Sequence, residues 1–303
     1  MTAVTTILLF FFLALIFSLA LTPLTRMLGV SLGAMDIPLK RKVHSSPIPR
    51  IGGVAVFLAF VAATIILVNL NATRVSELFV FNQRTAFGFY GALVVFGCGL
   101  WDDFRRLNPG IKLFFQIVGA TLAFVGGLSI NGFFIGSYAI KFGVLGSYVV
   151  TVFWFVLFIN AVNLIDGLDG LAGGVVFFVC ILMIILSAMH GAYLTAFYFS
   201  ALGGAILGFL KYNFNPASIF LGDGGSYFLG YAVAALSIVG SVKSQVGALI
   251  LMPVLALGVP IFDTIFAPIR RFIRGREIFR PDQGHIHHIF LRMGFSILPI
   301  FWN

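Results

Sequence analysis

Charge is scarce in this chain. Only 10% of its 303 residues are Asp, Glu, Lys or Arg, against about 25% in a soluble domain. Acids are scarcer still, ten against 19 Lys and Arg. Cysteine is nearly absent: Cys98 and Cys180 both lie in apolar runs, which excludes a disulfide framework and a thiolate metal site. The first apolar run, 4–24, has no basic segment ahead of it and no clear small-x-small cleavage site. It reads as a membrane helix, not a signal peptide. The net charge of +9 could suggest nucleic acid, but in a chain 60% hydrophobic it reports orientation and contact with anionic membrane lipid. No nucleic-acid partner is expected.

What fills the sequence is apolar, with 36 Phe and a mean hydropathy of +1.08. A membrane span needs about 20 apolar residues. Nine runs qualify: 4–24, 51–70, 85–101, 111–129, 147–164, 171–189, 192–210, 226–241 and 247–268. Connections are short and no soluble domain is inserted. The expectation is one all-α polytopic membrane domain over 1–303, with nine to ten transmembrane helices. Gly204 and Gly208 have the spacing of a helix-packing face, a pattern common by chance in apolar sequence.

Counting Lys and Arg loop by loop orients the chain. One set of loops holds 15 of the 19, at positions 26, 40–42, 50, 105, 106, 112, 211, 270, 271, 274, 276, 280 and 292. The other holds Arg74, Arg84, Lys141 and Lys243. The first set is cytoplasmic by this rule, and the N-terminus lies outside. The acids took no part in that assignment, yet nine of ten fall on the same face, Glu77 being the exception. Topology does not require this, and an active site among cytoplasmic loops is the simplest cause.

Asp102-Asp103 directly follow the third run. Adjacent carboxylates can share a divalent cation or raise one another's pKa. The bland alternative is a solvated helix end answered by Arg105 and Arg106. In Asn163-x-x-Asp166-x-x-Asp169 the spacing puts three polar side chains on one broad helix face. Gly167, Gly170, Gly173 and Gly174 allow backbone to approach a ligand closely. The alternative is a polar turn between spans.

The segment Phe220-Leu221-Gly222-Asp223-Gly224-Gly225-Ser226 opens the eighth run. A glycine-rich turn at a helix start is an anion site. An Asp within it would repel a phosphate unless a metal bridged them, so Mg²⁺ between Asp223 and a diphosphate is suggested. A mere N-cap at Asp223 or Ser226 is the alternative. His285, His287 and His288 lie in a basic loop downstream of Arg270, Arg271, Arg274, Arg276 and Arg280. The chain offers oxygen ligands and no thiolate, which suits a hard cation better than zinc. The loop looks built for phosphate, or in part for anionic lipid. Lys40, Arg41, Lys42 and His44 form a further basic run that could hold phosphate, beside Asp36 and Pro47–Gly53. Asp263 lies more than a turn inside the ninth run, either functional or paired with a basic residue such as Arg270.

Taken in order, five motifs resemble the polyprenyl-phosphate N-acetylhexosamine-1-phosphate transferase family (glycosyltransferase family 4). They are Asp36-x-Pro38 with Arg41-Lys42-x-His44 and Pro49-Arg50-x-Gly52-Gly53; Asp102-Asp103; Asn163-x-x-Asp166-Gly167-x-Asp169-Gly170; Gly222-Asp223-x-Gly225-Ser226; and Pro281-Asp282-x-Gly284-His285-Ile286-His287-His288. The resemblance covers nearly the whole chain. It implies transfer of a sugar 1-phosphate from a UDP-sugar to undecaprenyl phosphate, with UMP released. Mg²⁺ is the implied cofactor, with Mn²⁺ as the alternative. Asp223 matches the metal ligand. Asp102 and Asp103 match the acidic pair assigned to metal binding or to deprotonating the lipid phosphate. Asn163, Asp166, Asp169 and Phe220 match nucleotide-sugar positions. Lys42, His44, Arg271, His285, His287 and His288 match phosphate-contacting positions.

His285-Ile286-His287-His288 differs from the three consecutive histidines of the peptidoglycan branch, which transfers phospho-N-acetylmuramoyl-pentapeptide. It is similar to the branch that uses UDP-N-acetylglucosamine to start envelope polysaccharides such as O-antigen, common antigen or teichoic acid. The resemblance also carries a bacterial inner-membrane location and a homodimer as expectations. Family members continue with one or two further helices after the histidine loop, whereas 289–303 is too short for a span with Arg292 inside it; a shortened C-terminus is expected. Two other classes fit the composition: a transporter or flippase, which would place ionisable groups near mid-membrane, and an inactive scaffold.

Overall fold

The computed structural model describes residues 2–37, 47–69, 83–135, 138–244 and 248–273. They form ten helices and two small hairpins. The helices are α1 (Ala3–Ser31), α2 (Gly53–Asn69), α3 (Gln83–Phe104), α4 (Pro109–Val125), α5 (Val144–Ile165), α6 (Leu171–Met189), α7 (Tyr193–Asn213), α8 (Gly222–Ser244), α9 (Ala248–Ala256) and α10 (Gly258–Ile273). The hairpins are β1 (Met35–Asp36) with β2 (Ile48–Pro49), and β3 (Gly132–Ile135) with β4 (Tyr138–Lys141), both antiparallel. Among the described residues, α1, α3, α5, α6 and α7 are each long and apolar enough to cross a membrane, and α2 and α4 are shorter apolar helices. This is an all-α polytopic membrane protein.

The bundle is organised around α7 and α8, whose side chains are buried nearly all round. α1 buries a single stripe, Thr6, Phe10, Ala14, Ser18, Thr22, Thr25 and Gly29, at the three- and four-residue spacing of one helix face. Its other faces expose Phe12, Ile16 and Leu24, apolar groups that suit lipid. The buried stripe lies on α7, and here Gly204 and Gly208 acquire a definite role. A Cβ at Gly208 would fall 2.7 Å from the Leu15 carbonyl oxygen and 2.8 Å from Ser18 Cβ, and one at Gly204 would collide with the backbone of Phe11. Small residues let two membrane helices touch along their backbones.

Pro23 lies within α1 and cannot donate to the carbonyl of Leu19. The Tyr212 hydroxyl of α7 donates to that carbonyl instead, at 3.1 Å. In an apolar medium a carbonyl without a donor is costly, so one contact both seats α7 and repairs the proline gap. α4 and α5 are joined by a reciprocal amide pair: Asn160 Nδ2 donates to Gln116 Oε1 at 2.7 Å, and Gln116 Nε2 to Asn160 Oδ1 at 3.5 Å.

The expected ninth span, 247–268, is divided. α9 packs on α6 and α8, and α10 packs on α5. The cause is local: Pro260 has no N–H for the carbonyl four residues back, and Gly258 weakens the helix at the same place. Other boundaries move as well. α1 runs past its expected end to Ser31, α4 stops early at Val125, α8 starts early at Gly222, and α3 continues to Phe104, so Asp102 and Asp103 lie on its last turn.

Candidate active site

The motif segments within the described residues meet at one end of the bundle. α3 ends there, α4, α6 and α8 begin there, and α5 ends there. The α3–α4 turn is tight because each end has its own cap. The Leu107 N–H donates to Asp102 Oδ1 at 2.6 Å. Asn108 caps α4, its side chain accepting from the Gly110 N–H at 2.9 Å, and Pro109 takes the first helical position, where its missing N–H costs nothing. Lys112 therefore lands in the first turn of α4, next to Asp102. Its ammonium donates to Asp102 Oδ2 at 2.6 Å and to Asp223 Oδ2 at 2.9 Å.

The second wall is a backbone zipper between the β2–α2 corner and the start of α8. The Phe220 N–H donates to the Pro49 carbonyl, Gly52 N–H to the Phe220 carbonyl, and Gly53 N–H to the Leu221 carbonyl, at 2.8 to 2.9 Å. Such contact leaves no room for side chains. A Cβ on Gly53 would strike Gly225, and one on Gly222 would strike the Arg50 carbonyl oxygen. Gly222 also has φ +78°, a left-handed conformation that glycine adopts without strain. The zipper delivers Arg50 to Asp103, whose Oδ1 accepts from Arg50 Nε and Nη2, each at 3.1 Å. Asp103 Oδ1 also accepts from the Asp223 N–H at 2.9 Å, and Oδ2 from the Gly224 N–H at 3.0 Å. The anion at this helix N-terminus is thus the protein's own carboxylate.

Asn163, on the last turn of α5, completes the ring. Its Nδ2 donates to Ser226 Oγ at 3.0 Å and to Asp223 Oδ1 at 3.3 Å. α5 stops at Ile165, so the three polar residues do not share one helical face as their spacing suggests. Asp166 caps the helix, Gly170 turns the chain at φ +72°, and Asp169 points elsewhere. Asp169 Oδ2 accepts from Asn215 Nδ2 at 3.1 Å and Ala217 N–H at 3.0 Å, bracing the 214–217 loop against the 166–170 turn. Asp166 leaves part of its surface open, yet its carboxyl group is enclosed by protein. That burial holds its pKa well above the usual carboxylate range. The Asp223 and Asp103 anions add to the effect, and Arg50 and the Gly222 N–H oppose it. Arg50 is held above its ordinary value: burial works against its charge, and Asp103, Asp223 and Asp36 outweigh it.

Among the described residues, Asp102, Asp103 and Asp223 face two cations, Arg50 and Lys112, which leaves one negative charge in excess before Asp166 is counted. An open cavity of about 290 Å³ adjoins it, lined in part by Met35, Ile37, Arg50, Asp102, Phe104 and Arg106. Among the described residues no three His, Cys, Asp or Glu side chains form a ready metal cage. The donors present still fit Mg²⁺ in its substrate-bound mode, in which one or two carboxylates share the ion with phosphates and water. Asp102 and Asp223 supply hard oxygens close enough to share one cation, since both already hold the Lys112 ammonium.

The structure therefore gathers Asp102, Asp103, Asn163 and Asp223 and places Asp166 beside them. Asp169 lies on the adjoining loop, and Phe220, half-buried, lies in the zipper. Arg271 lies on the last turn of α10, and Asp263 is buried on that helix. Lys42, His44, His285, His287 and His288 lie outside the described residues. Lys112, Arg50 and Ser226 carry more of the geometry than their sequence suggests. Lys112 reads simply as a basic loop residue, Arg50 is marked only by its place in the Pro49–Gly53 motif, and only the Gly-Ser ending of the turn marks Ser226.

Residues 85–241 match the family described as Glycosyl transferase family 4. A Bacillus subtilis protein named "Probable undecaprenyl-phosphate N-acetylglucosaminyl 1-phosphate transferase" is 37% identical over 288 residues, covering 94% of this chain and 77% of the relative. A Mycobacterium tuberculosis "Decaprenyl-phosphate N-acetylglucosaminephosphotransferase" is 35% identical, covering 89% and 72%. A Streptococcus gordonii "Phospho-N-acetylmuramoyl-pentapeptide-transferase" is 33% identical, covering 86% and 80%.

Proposed function

The chain belongs to glycosyl transferase family 4, a sugar-phosphate transferase of the membrane, and from that premise we propose that it moves N-acetylglucosamine 1-phosphate from UDP-N-acetylglucosamine to undecaprenyl phosphate. The product is the lipid diphosphate sugar on which an envelope polysaccharide begins. The observation that carries the reading is the ring of Asp102, Asp223, Asn163, Lys112 and Arg50 at the shared end of α3, α4, α5 and α8. The excess of basic residues in these loops supports a cytoplasmic face, and the bacterial relatives support an inner-membrane location.

A phosphate oxygen of the lipid attacks the sugar-bearing phosphorus of the nucleotide. The new P–O bond forms as the bond to the UMP oxygen breaks, and UMP leaves with that oxygen and its electron pair. Both reactants are anionic, so the reaction needs chiefly alignment and charge neutralisation. Asp223 and Asp102 would hold Mg²⁺, which would supply part of that neutralisation when bound. Lys112 and Arg50 hold the carboxylates in place and offset their charge. Asp102 accepts the proton of a singly ionised lipid phosphate. Asn163 and Asp166 shape the nucleotide-sugar wall, with Asp169 and Phe220 supporting it from the adjoining loops. Lys42, His44, Arg271, His285, His287 and His288 contact phosphate. The exposed apolar faces leave room for the polyprenyl tail among membrane lipids.

Mass spectrometry of the lipid product tests the substrates directly. With UDP-N-acetylglucosamine, undecaprenyl phosphate and Mg²⁺, purified protein is expected to give undecaprenyl diphosphate N-acetylglucosamine. Product only from UDP-N-acetylmuramoyl-pentapeptide would move the chain to the peptidoglycan branch.

A further inference from the structure

Asp102 and Asp103 are adjacent in sequence, yet they hold different partners. The Asp103 side chain is fully enclosed, at 0% exposure. Its two oxygens receive four donors, all from the protein: Arg50 Nε, Arg50 Nη2 and the Asp223 N–H on Oδ1, and the Gly224 N–H on Oδ2. An ionised carboxylate offers about four acceptor sites. The α8 N–H groups it takes are among those a helix start leaves without intrahelical partners, and the helix dipole favours a negative charge there. Asp102 is differently placed. One oxygen accepts the Leu107 N–H; among the described residues the other takes the Lys112 ammonium, which it shares with Asp223, and has Arg50 Nη2 only at 3.9 Å, beyond hydrogen-bond reach.

We propose that Asp103 is a positioning residue, a built-in anion that caps α8 and, clamped by Arg50, fixes the backbone from which Asp223 projects; of the acidic pair, Asp102 is the one presented to substrate. The inference deepens the transferase reading above and depends on it for its kinetic arm alone. The physical case is a three-way junction. Arg50 is tied to the β1–β2 corner through its N–H on the Ala34 carbonyl, Asp103 ends α3, and Asp223 begins α8. One carboxylate joins all three segments. Gly222 shows how closely it fits, since a Cβ there would lie 2.7 and 2.8 Å from the Asp103 oxygens. Freeing Asp103 for a proton or a metal would deprive the donors of Arg50 and α8 of their shared acceptor.

The test uses the full chain in nanodiscs, with Asp103→Asn, Arg50→Lys and Asp102→Asn. Hydrogen exchange at the Asp223 and Gly224 amides needs no turnover. Asp103→Asn is expected to speed it at least about tenfold, the equivalent of one charge-assisted hydrogen bond. Arg50→Lys, which loses the planar fork, should speed it less, and Asp102→Asn should leave it unchanged. In UMP release, Asp103→Asn and Arg50→Lys should lower kcat about 10- to 100-fold and raise the Mg²⁺ requirement, as loss of a supporting partner does. The acidic limb of the pH–rate profile should persist in both and vanish in Asp102→Asn. Unchanged exchange in Asp103→Asn, or loss of its acidic limb with normal exchange, overturns the assignment. If Asp103→Asn does not fold, exchange in Arg50→Lys decides. A wild-type chain that releases no UMP removes the transferase reading and leaves the exchange result to decide the role of Asp103.

Discussion

Replacing Lys112 with Met should make the fold depend on a divalent cation. The ammonium lies between Asp102 Oδ2 and Asp223 Oδ2, at 2.6 and 2.9 Å, and its side chain is 23% exposed. Among the described residues, removing it raises the local excess from one negative charge to two, with Arg50 left to offset three carboxylates. Breaking a fully buried pair from one side costs about 3–5 kcal/mol. Partial exposure of Lys112 brings this to about 2–4 kcal/mol. For a chain of this size that lowers the apparent unfolding midpoint by roughly 5–10 °C. Mg²⁺ at 100 times its Kd would return about 2.7 kcal/mol, most of the loss. The assay is intrinsic tryptophan fluorescence on heating in nanodiscs, with EDTA or with Mg²⁺. The wild type, whose ammonium competes for the site, should shift little with Mg²⁺, and Lys112→Met should shift by several degrees. A Lys112→Met chain as stable as the wild type in EDTA, or indifferent to Mg²⁺, would refute the bridging argument.

Gly222→Ala adds a methyl group at a left-handed position and against the Arg50 carbonyl, so a loss of about 2–4 kcal/mol is expected in the same melting assay. The raised pKa of Asp166 has a definite sign in stability: the folded state keeps a proton that the unfolded state has lost. Asp166 therefore penalises the fold as pH rises from the ordinary carboxylate range through its own higher value. Asp166→Asn should flatten the pH dependence of the unfolding midpoint in that window and raise the midpoint at neutral pH; an unchanged slope would count against the burial argument. Asp169→Ala removes both braces on the 214–217 loop, so chymotryptic cleavage after Phe214 should accelerate and the KM for the nucleotide sugar should rise with kcat largely kept.

Much of the fold was legible because lipid imposes one simple demand, long apolar helices. Eight of the nine runs each became one helix. The ninth divided where Gly258 and Pro260 interrupt the backbone ladder, a local effect that a hydropathy window averages away. The β3–β4 hairpin is not visible in the hydropathy pattern, since four-residue strands leave little of it. The acidic residues were legible as a set because their crowding on one face has no topological cause. Their partners were not. Arg50 and Lys112 look like any orientation-setting cation, and only folding shows that one clamps Asp103 and the other bridges Asp102 to Asp223. The glycine-rich turn read as a seat for an external phosphate. In the structure Asp103, far away in sequence, takes two N–H groups of that turn.

The most direct measurement of the central claim is UMP release by wild-type and Asp223→Asn chains given UDP-N-acetylglucosamine, undecaprenyl phosphate and Mg²⁺. The wild type should release one UMP per lipid diphosphate sugar formed and none without either lipid or Mg²⁺, and a folded Asp223→Asn chain should lose turnover. Near-normal turnover by Asp223→Asn, or UMP release that ignores the lipid phosphate, would contradict it.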